Sequence, residues 1–277
     1  MAISWYPGHM HKASKELVKI MRETQAVIEV LDARIPESSC NPLLASIREQ
    51  LPYIRILNKA DLADPDITHA WQKHFDKEAN CACLINGRDK PLSKASLVQA
   101  AKRLIKKTDG SKFSKVQLVI EGIPNVGKSS LLNQLMDRKV ARTGNEPAVT
   151  RGQQRVKLDD SWYLIDTPGM LWPKLADQDS AYRLAVTGTI RSTAVQSDDV
   201  AWFLAELLLE KYPSRLADRY RLNNTNIKTE ELFDLIAKLR GSLRRGGGAD
   251  INKTAEILLN DFRSGKLGKF SLETPPQ

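Results

Sequence analysis

The sequence predicts an α/β fold: a doubly wound, mostly parallel sheet followed by a small all-α helical bundle. Three observations lead there. Short apolar runs rich in Val, Ile and Leu alternate with stretches of helical period up to about residue 170. Several of these runs end in polar, Gly- or Asp-containing loops, where the ligands of an open α/β sheet bind. From about Leu175 the strand signal stops and only helical stripes remain. The expected division is residues 1–174 and 175–277.

The elements follow in order. Residues 4–9, Ser-Trp-Tyr-Pro-Gly-His, form an aromatic, kinked lead-in. The next helix carries Met10, Ala13, Leu17, Ile20 and Met21 on one face, with Lys12, Lys15 and Lys19 elsewhere. Residues 26–31 read as a strand ending in Asp32-Ala33-Arg34-Ile35-Pro36, and residues 53–57 as a strand ending in Asn58-Lys59-Ala60-Asp61. A helix around 66–78, a short strand near 81–85, the turn Asn86-Gly87-Arg88-Asp89 and a helix over about 93–107 come next. A basic connector, residues 106–112, delivers the chain to the strand 116–120. Residues 129–135 read as a helix, and residues 142–152 lack hydrophobic period and read as a mobile loop. Residues 154–158 and 162–165 pair as a hairpin across Asp159-Asp160-Ser161, ending in Asp166-Thr167-Pro168-Gly169. Helical stripes then run through Val200, Phe203, Leu204, Leu207 and Leu208, and through Leu232, Leu235, Ile236 and Leu239 behind Thr229 as N-cap. A third runs through Ile251, Ala255, Leu258, Leu259 and Phe262 behind Asp250, and residues 273–277 read as a frayed end.

The chemistry sits in the loops. Gly122-Ile123-Pro124-Asn125-Val126-Gly127-Lys128-Ser129 fits G-x-x-x-x-G-K-[ST] between a strand and a helix. Such a loop turns backbone N–H groups onto phosphates at a helix N-terminus that already favours anions. Gly122, Pro124, Asn125, Val126, Gly127 and Ser130 are the expected cradle. Lys128 is expected on the β- and γ-phosphates and Ser129 on Mg²⁺. Asp166-x-x-Gly169 follows a strand; its Asp166 is expected to hold Mg²⁺ through water, and the Gly169 N–H to sense the γ-phosphate. Thr150 is expected to close on Mg²⁺ and the γ-phosphate. In Asn58-Lys59-Ala60-Asp61, the Asp61 carboxylate can accept from N1–H and the 2-amino group of guanine. Adenine offers neither donor, so the set selects GTP over ATP.

The order of the motifs is unusual. Conventional GTPases run phosphate loop, Thr loop, D-x-x-G, N-K-x-D; here N-K-x-D comes first. Moving the segment through about residue 107 behind Gly169 restores the usual order, so the chain resembles a circularly permuted P-loop GTPase. The chain beyond Gly169 then runs through Met170-Leu171-Trp172-Pro173 straight into the helical part, so switching at Gly169 is expected to move that part.

Residues 5–10 (Trp-Tyr-Pro-Gly-His-Met), Asp32-Ala33-Arg34-Ile35-Pro36, Asn58-Lys59-Ala60-Asp61, the phosphate loop and Asp166-Thr167-Pro168-Gly169 stand in the order of the RbgA/YlqF family. So do Arg245-Gly246-Gly247-Gly248-Ala249-Asp250 and Asp261-Phe262-Arg263-Ser264-Gly265-Lys266-Leu267-Gly268. This resemblance, over essentially the full chain, implies a GTPase that binds ribosomal RNA and helps mature the large ribosomal subunit, with GTP/GDP and Mg²⁺ as cofactors. The sequence departs from the usual pattern in two places. Leu84-Ile85-Asn86-Gly87 stands where a Ser-Ala base-contact motif is usual, leaving Asn86 as the base-contact candidate. Met170 stands where many GTPases have a water-orienting Gln, as in the hydrophobic-substituted GTPases. Asn125 resembles the asparagine of potassium-activated GTPases, so K⁺ is a candidate activator. His9 follows Pro7-Gly8 and is the candidate to orient water in place of Met170, or else a helix cap or RNA contact.

The formal net charge of +9 is spread over the chain and suits a polyanionic partner. Arg240, Arg244 and Arg245 beside a triple glycine, with Trp5 and Tyr6, are RNA-contact candidates. Cys40, Cys81 and Cys83 give no disulfide framework and no zinc set. No apolar run approaches the roughly 20 residues of a membrane span. A cytoplasmic monomer with the large ribosomal subunit precursor and ribosomal RNA as partners is expected. The alternatives are a tRNA-processing GTPase and a nucleotide-gated RNA-binding module with little hydrolysis.

Overall fold

The structure is a computed structural model that describes residues 8–108, 115–141, 154–172, 177–190 and 196–276. Six strands form one sheet in the order β3-β2-β1-β4-β6-β5: β1 (Ala26–Asp32), β2 (Tyr53–Asn58), β3 (Cys81–Ile85), β4 (Val116–Glu121), β5 (Gln154–Asp159) and β6 (Trp162–Asp166). All neighbours are parallel except the hairpin β5–β6. β1, in the middle, is buried along its whole length, which is why its sequence is nearly continuous apolar rather than alternating.

Each face of the sheet is covered by helices. Ile28, Val30, Leu118 and Ile120 pack with Leu97, Ala101 and Leu104 of α5 (Lys94–Thr108) and with Leu131 and Leu135 of α6 (Lys128–Met136). On the other face, Val27, Val119 and Ile165 meet Leu17 and Met21 of α1 (Gly8–Met21) and Leu44 of α3 (Pro42–Arg48). Leu31 and Leu57 meet Trp71 and Phe75 of α4 (Pro65–Phe75). The four-residue α2 (Pro36–Ser39) and α3 occupy a stretch in which the sequence showed no helix. Both begin with proline at their first positions, a residue that fits a helix start as well as a turn.

The chain enters the sheet at β1, moves outward to β2 and β3, crosses back to β4 beside β1, runs to the far edge as β5 and turns back as β6 beside β4. β1 and β4 therefore flank the point where the winding reverses, and the phosphate loop follows β4 there. Among the described residues, five helices follow the sheet: α7 (Gln178–Val186), α8 (Ser197–Lys211), α9 (Pro213–Tyr220), α10 (Thr229–Arg240) and α11 (Ile251–Arg263). Asp177 and Asp250 cap α7 and α11 with their carboxylates. Their apolar faces continue the core on the α5/α6 side of the sheet.

Three local readings change. Thr229 is the first residue of α10 and buried; Lys228 holds the N-cap position without a side-chain bond. Leu235 and Leu239 share the helical stripe but are 39% and 43% exposed, because only Leu232 and Ile236 face α8 and α11. Of the residues read as a frayed end, Glu273 is anchored, together with the residues just before it. Phe270, Leu272 and Glu273 are buried. The Phe270 and Leu272 N–H groups donate to Leu62 O (2.9 Å) and Arg34 O (2.8 Å), and the Glu273 carboxylate accepts from the Glu37 and Ser38 N–H groups at the start of α2. The Trp71 indole donates to Glu273 O at 3.3 Å. Burial satisfies these groups only through partners more than 200 residues away in sequence, which local pattern cannot reveal.

Phe270 stacks edge-on against Tyr212 and tilts against Phe262 while its backbone holds the sheet half. Phe270→Ala should cost about 3–5 kcal/mol in urea unfolding of the full chain.

Candidate functional site

The phosphate loop is shaped by two glycines. Gly122 has φ +145°, and a Cβ there would stand 2.6 Å from Val30 O of the neighbouring strand. Gly127, at φ +101°, caps α6, and a Cβ there would strike the Asn58 amide. Between them Asn125 takes the left-handed conformation at φ +58°, which asparagine tolerates better than most residues. The Lys128 ammonium folds back onto the loop, donating to Gly122 O (3.0 Å) and Ile123 O (2.9 Å). Burial lowers its pKa to about 8, against the upward pull of Asp166 and Glu121.

Asp166 ends β6 beside this lysine and is fully buried. Neither of its carboxylate oxygens has a partner among the described residues. Burial raises its pKa, with Lys128 opposing. An orphaned carboxylate at this place fits a group that brings positive charge. Thr167 donates to Ile120 O at 2.8 Å, and Gly169 lies so close to the phosphate loop that a Cβ would stand 2.8 Å from Pro124 Cα. Met170 turns away from the loop into the core beneath α1 and α3. Its N–H donates to Gly122 O (3.3 Å) and its carbonyl accepts from the Asn41 amide (2.8 Å). A side chain held there has no route to a water above the phosphate loop.

The Asn58–Asp61 loop is tied to the phosphate loop by two side chains, with Asn86 bracing it. Asn58 Nδ2 donates to Val126 O (2.8 Å), while its Oδ1 accepts from Asn86 Nδ2 (2.7 Å). Lys59, left-handed at φ +59°, donates to Asp32 Oδ2 (2.9 Å) and Asn125 O (2.7 Å). Asn86 Oδ1 accepts from Leu92 N–H (2.8 Å) and Gln134 Nε2 (2.9 Å), so this side chain braces the loop from beneath. Asp61 sits in a short 3₁₀ turn, where its Oδ1 accepts from the Arg88 N–H at 3.1 Å. Gly87 is needed there, because a Cβ would stand 2.9 Å from Asp61 N.

The structure brings together the phosphate loop, Asp166, Gly169, Asn58, Lys59, Asp61 and Asn86. Thr150, Trp5 and Tyr6 lie outside the described residues, and of His9 only the backbone is described, in the first turn of α1. Ser129 and Ser130 open α6. Among the described residues no cluster of three His, Cys, Asp or Glu could hold a metal ion. No helix of the described residues is long and apolar enough to cross a membrane. The three cysteines are free thiols.

One residue of the site went unassigned in the sequence. Asp32, buried at the end of β1, takes Arg34 in a fork (2.9 and 2.7 Å) and Lys59 at 2.9 Å. Burial would raise its pKa, but Arg34 and then Lys59 outweigh burial and hold the carboxyl well below the usual range. Its place at the C-terminal end of a central strand next to the phosphate-loop strand was the available signal.

A reversal point carrying a phosphate loop, a D-x-x-G turn and an N-K-x-D loop, with the last coming first in the chain, defines a circularly permuted P-loop GTPase. The family described as 50S ribosome-binding GTPase matches residues 117–236, starting within β4 and leaving out Asn58–Asp61. The chain is 41% identical to ribosome biogenesis GTPase A of Bacillus pumilus, over 99% of both chains. It is 42% identical to the protein of that name from Bacillus licheniformis, again over 99% of both. The chain belongs to the ribosome biogenesis GTPase A family. The GNP-bound crystal structure of YlqF from T. maritima is similar at TM-score 0.66 and 25% identity, covering 96% of this chain and 99% of that one.

The depressed lysine gives a pH signature. A polyphosphate at Lys128 Nζ favours the ammonium, so guanine-nucleotide binding should take up a proton as pH passes about 8. Calorimetry in buffers of different ionisation heat should show uptake growing and affinity falling as pH rises through that value, with both trends absent in Lys128→Met. In the nucleotide-free protein the neutral lysine is favoured on folding, so this group adds to stability as pH rises from about 8 to 10.5.

Proposed function

We propose that this protein is a GTP-hydrolysing assembly factor that binds ribosomal RNA, promotes late maturation of the large ribosomal subunit and leaves after hydrolysis. The observation that carries the reading is full-length similarity: the 41% identity to a protein named ribosome biogenesis GTPase A spans 99% of each chain, nucleotide loops and helical part together. Residues 1–174 form the GTPase domain and residues 175–277 the RNA- and ribosome-binding domain in this reading. The protein works as a cytoplasmic monomer.

The residues divide the work. Asp61 reads the guanine edge, and Asn58 and Lys59 hold that loop against the phosphate loop. Backbone N–H groups of the phosphate loop and the Lys128 ammonium take the phosphates, exchanging the Gly122 and Ile123 carbonyls for anionic oxygens. Ser129, Asp166 and Thr150 would hold Mg²⁺, which supplies charge neutralisation across the β- and γ-phosphates. The unpartnered Asp166 carboxylate supports this assignment. The Asn125 side-chain oxygen would hold a K⁺ ion, which would offset charge that builds as the β–γ bond breaks. Water attacks the γ-phosphorus, the β–γ bridging bond breaks, and GDP and phosphate leave. Met170 is buried, and in this reading His9 takes over the orientation of that water.

Gly169 closes on the γ-phosphate and pulls the chain after Met170, which leads into the helical part. There Arg244 and Arg245 stand exposed on a turn closed by the Leu243–Ala249 bridge, with three glycines at its tip, and are suited to an RNA backbone. Arg240 is partly engaged by Asp261 at 3.5 Å.

Two measurements test this reading. Asp61→Asn should weaken GTP roughly tenfold to a hundredfold and improve xanthosine triphosphate, whose 2-position accepts rather than donates; equal binding of both by the wild type removes the base assignment. Saturating large-subunit particles should accelerate single-turnover hydrolysis by the wild type, and His9→Ala should lose that acceleration with GTP affinity intact. Hydrolysis indifferent to the particles contradicts the assembly role.

A further inference from the structure

The helical part reaches back to the phosphate loop through one carbonyl. Asn125 Nδ2 donates to Gly188 O at 2.8 Å. Gly188 follows α7 at φ +79°, a conformation that favours glycine, and it closes the helix end by donating its N–H to Ala185 O (3.0 Å). The last carbonyls of an α-helix have no partner within the helix. Here a guanidinium from another helix takes two of them: Arg263, at the end of α11, donates Nε to Val186 O (2.8 Å) and Nη2 to Ala185 O (2.7 Å). The same guanidinium lies under Gly188, whose hypothetical Cβ would meet Arg263 Nε at 3.6 Å. A cation at a helix C-terminus is also favoured by the helix dipole.

We propose that Arg263 is a positioning residue for hydrolysis, fixing the Gly188 carbonyl that orients the Asn125 amide in the phosphate loop. An amide is planar. Once Nδ2 is held by Gly188, the direction of Oδ1 is set, and Oδ1 is the atom that matters for charge at the β–γ bridge. Lys59 holds the backbone of the same residue at Asn125 O, so backbone and side chain are fixed from opposite halves of the protein. Docking of the helical part thereby completes the phosphate loop. The fork geometry is essential, because two adjacent carbonyls are taken by two nitrogens of one plane. The inference deepens the reading of Asn125 given above and rests on it.

The test is a double-mutant cycle in the full chain with Arg263→Ala, Asn125→Ala and both. It is read by single-turnover GTP hydrolysis, by GTP affinity and by the KCl concentration for half-maximal rate. Arg263→Ala should slow hydrolysis on the order of tenfold, as a misplaced group near the reacting bond does. It should shift the KCl midpoint upward and leave GTP affinity within roughly threefold. In the Asn125→Ala background the Arg263 change should have no further effect. A wild-type rate in Arg263→Ala, or a full additional loss in the double variant, overturns the positioning role. If Asn125→Ala alone leaves rate and KCl response unchanged, the reading of Asn125 fails and the relay falls with it; a failure confined to Arg263 leaves that reading standing. Should Arg263→Ala not fold, Arg263→Lys carries the same cycle. Lysine keeps the charge but loses the fork, and a wild-type rate with it would equally overturn the role.

Discussion

One ammonium joins the parts of this site. Lys59 Nζ, at the end of β2, bonds both the Asp32 carboxylate at the end of β1 and the Asn125 carbonyl in the loop after β4. Three neighbouring strand ends are thus held at one point, on the edge of the sheet where the winding reverses. The charge is tolerated because the Asp32 carboxylate is buried beneath it, with Arg34 at its other side. Asn58 adds a second tie at Val126 O. The Asn58–Asp61 loop and the phosphate loop are therefore tied at two points, a geometry that suits the proposed reading of a base and cleavage of a phosphate bond in one molecule.

Permutation changes what that rigid piece is attached to. In the sheet, β4 and β6 lie side by side, so the phosphate loop and the Asp166–Gly169 turn meet at the same sheet edge. What differs is the exit. Beyond Gly169 the chain anchors Met170 in the core and then enters the helical part. The far end of that part returns to the sheet. Phe270 pairs with Leu62, one residue past Asp61; Lys269 pairs with Asp89 at 3.0 Å; and Glu273 caps α2 next to the Asp32 loop. The helical part is thereby in contact with the nucleotide site at its base end through the tail and at its phosphate end through Gly188.

Much of this was legible because it is local. The phosphate loop, Asp166-x-x-Gly169 and Asn58-Lys59-Ala60-Asp61 each need particular residues at fixed spacing after a strand, and strand periodicity placed all three at one sheet edge. The antiparallel β5–β6 hairpin was legible from its turn for the same reason. What escaped depends on partners remote in sequence. Asp32 reads as a loop residue until Lys59 and Arg34 are folded onto it. Glu273 reads as part of a frayed end until the Glu37 and Ser38 N–H groups of α2 donate to its carboxylate. Leu235 and Leu239 share a period with Leu232 and Ile236, but period does not say how wide a face the neighbouring helices cover.

Lys59 holds the Asn58–Asp61 loop and the phosphate loop together. The most direct test is a cycle of Asp32→Asn, Lys59→Met and the double variant, read by GDP affinity. Strong coupling is expected, on the order of 1–3 kcal/mol, with the double variant binding no worse than the weaker-binding single variant. Losses that simply add would mean that the two side chains act independently, and would contradict this coupling.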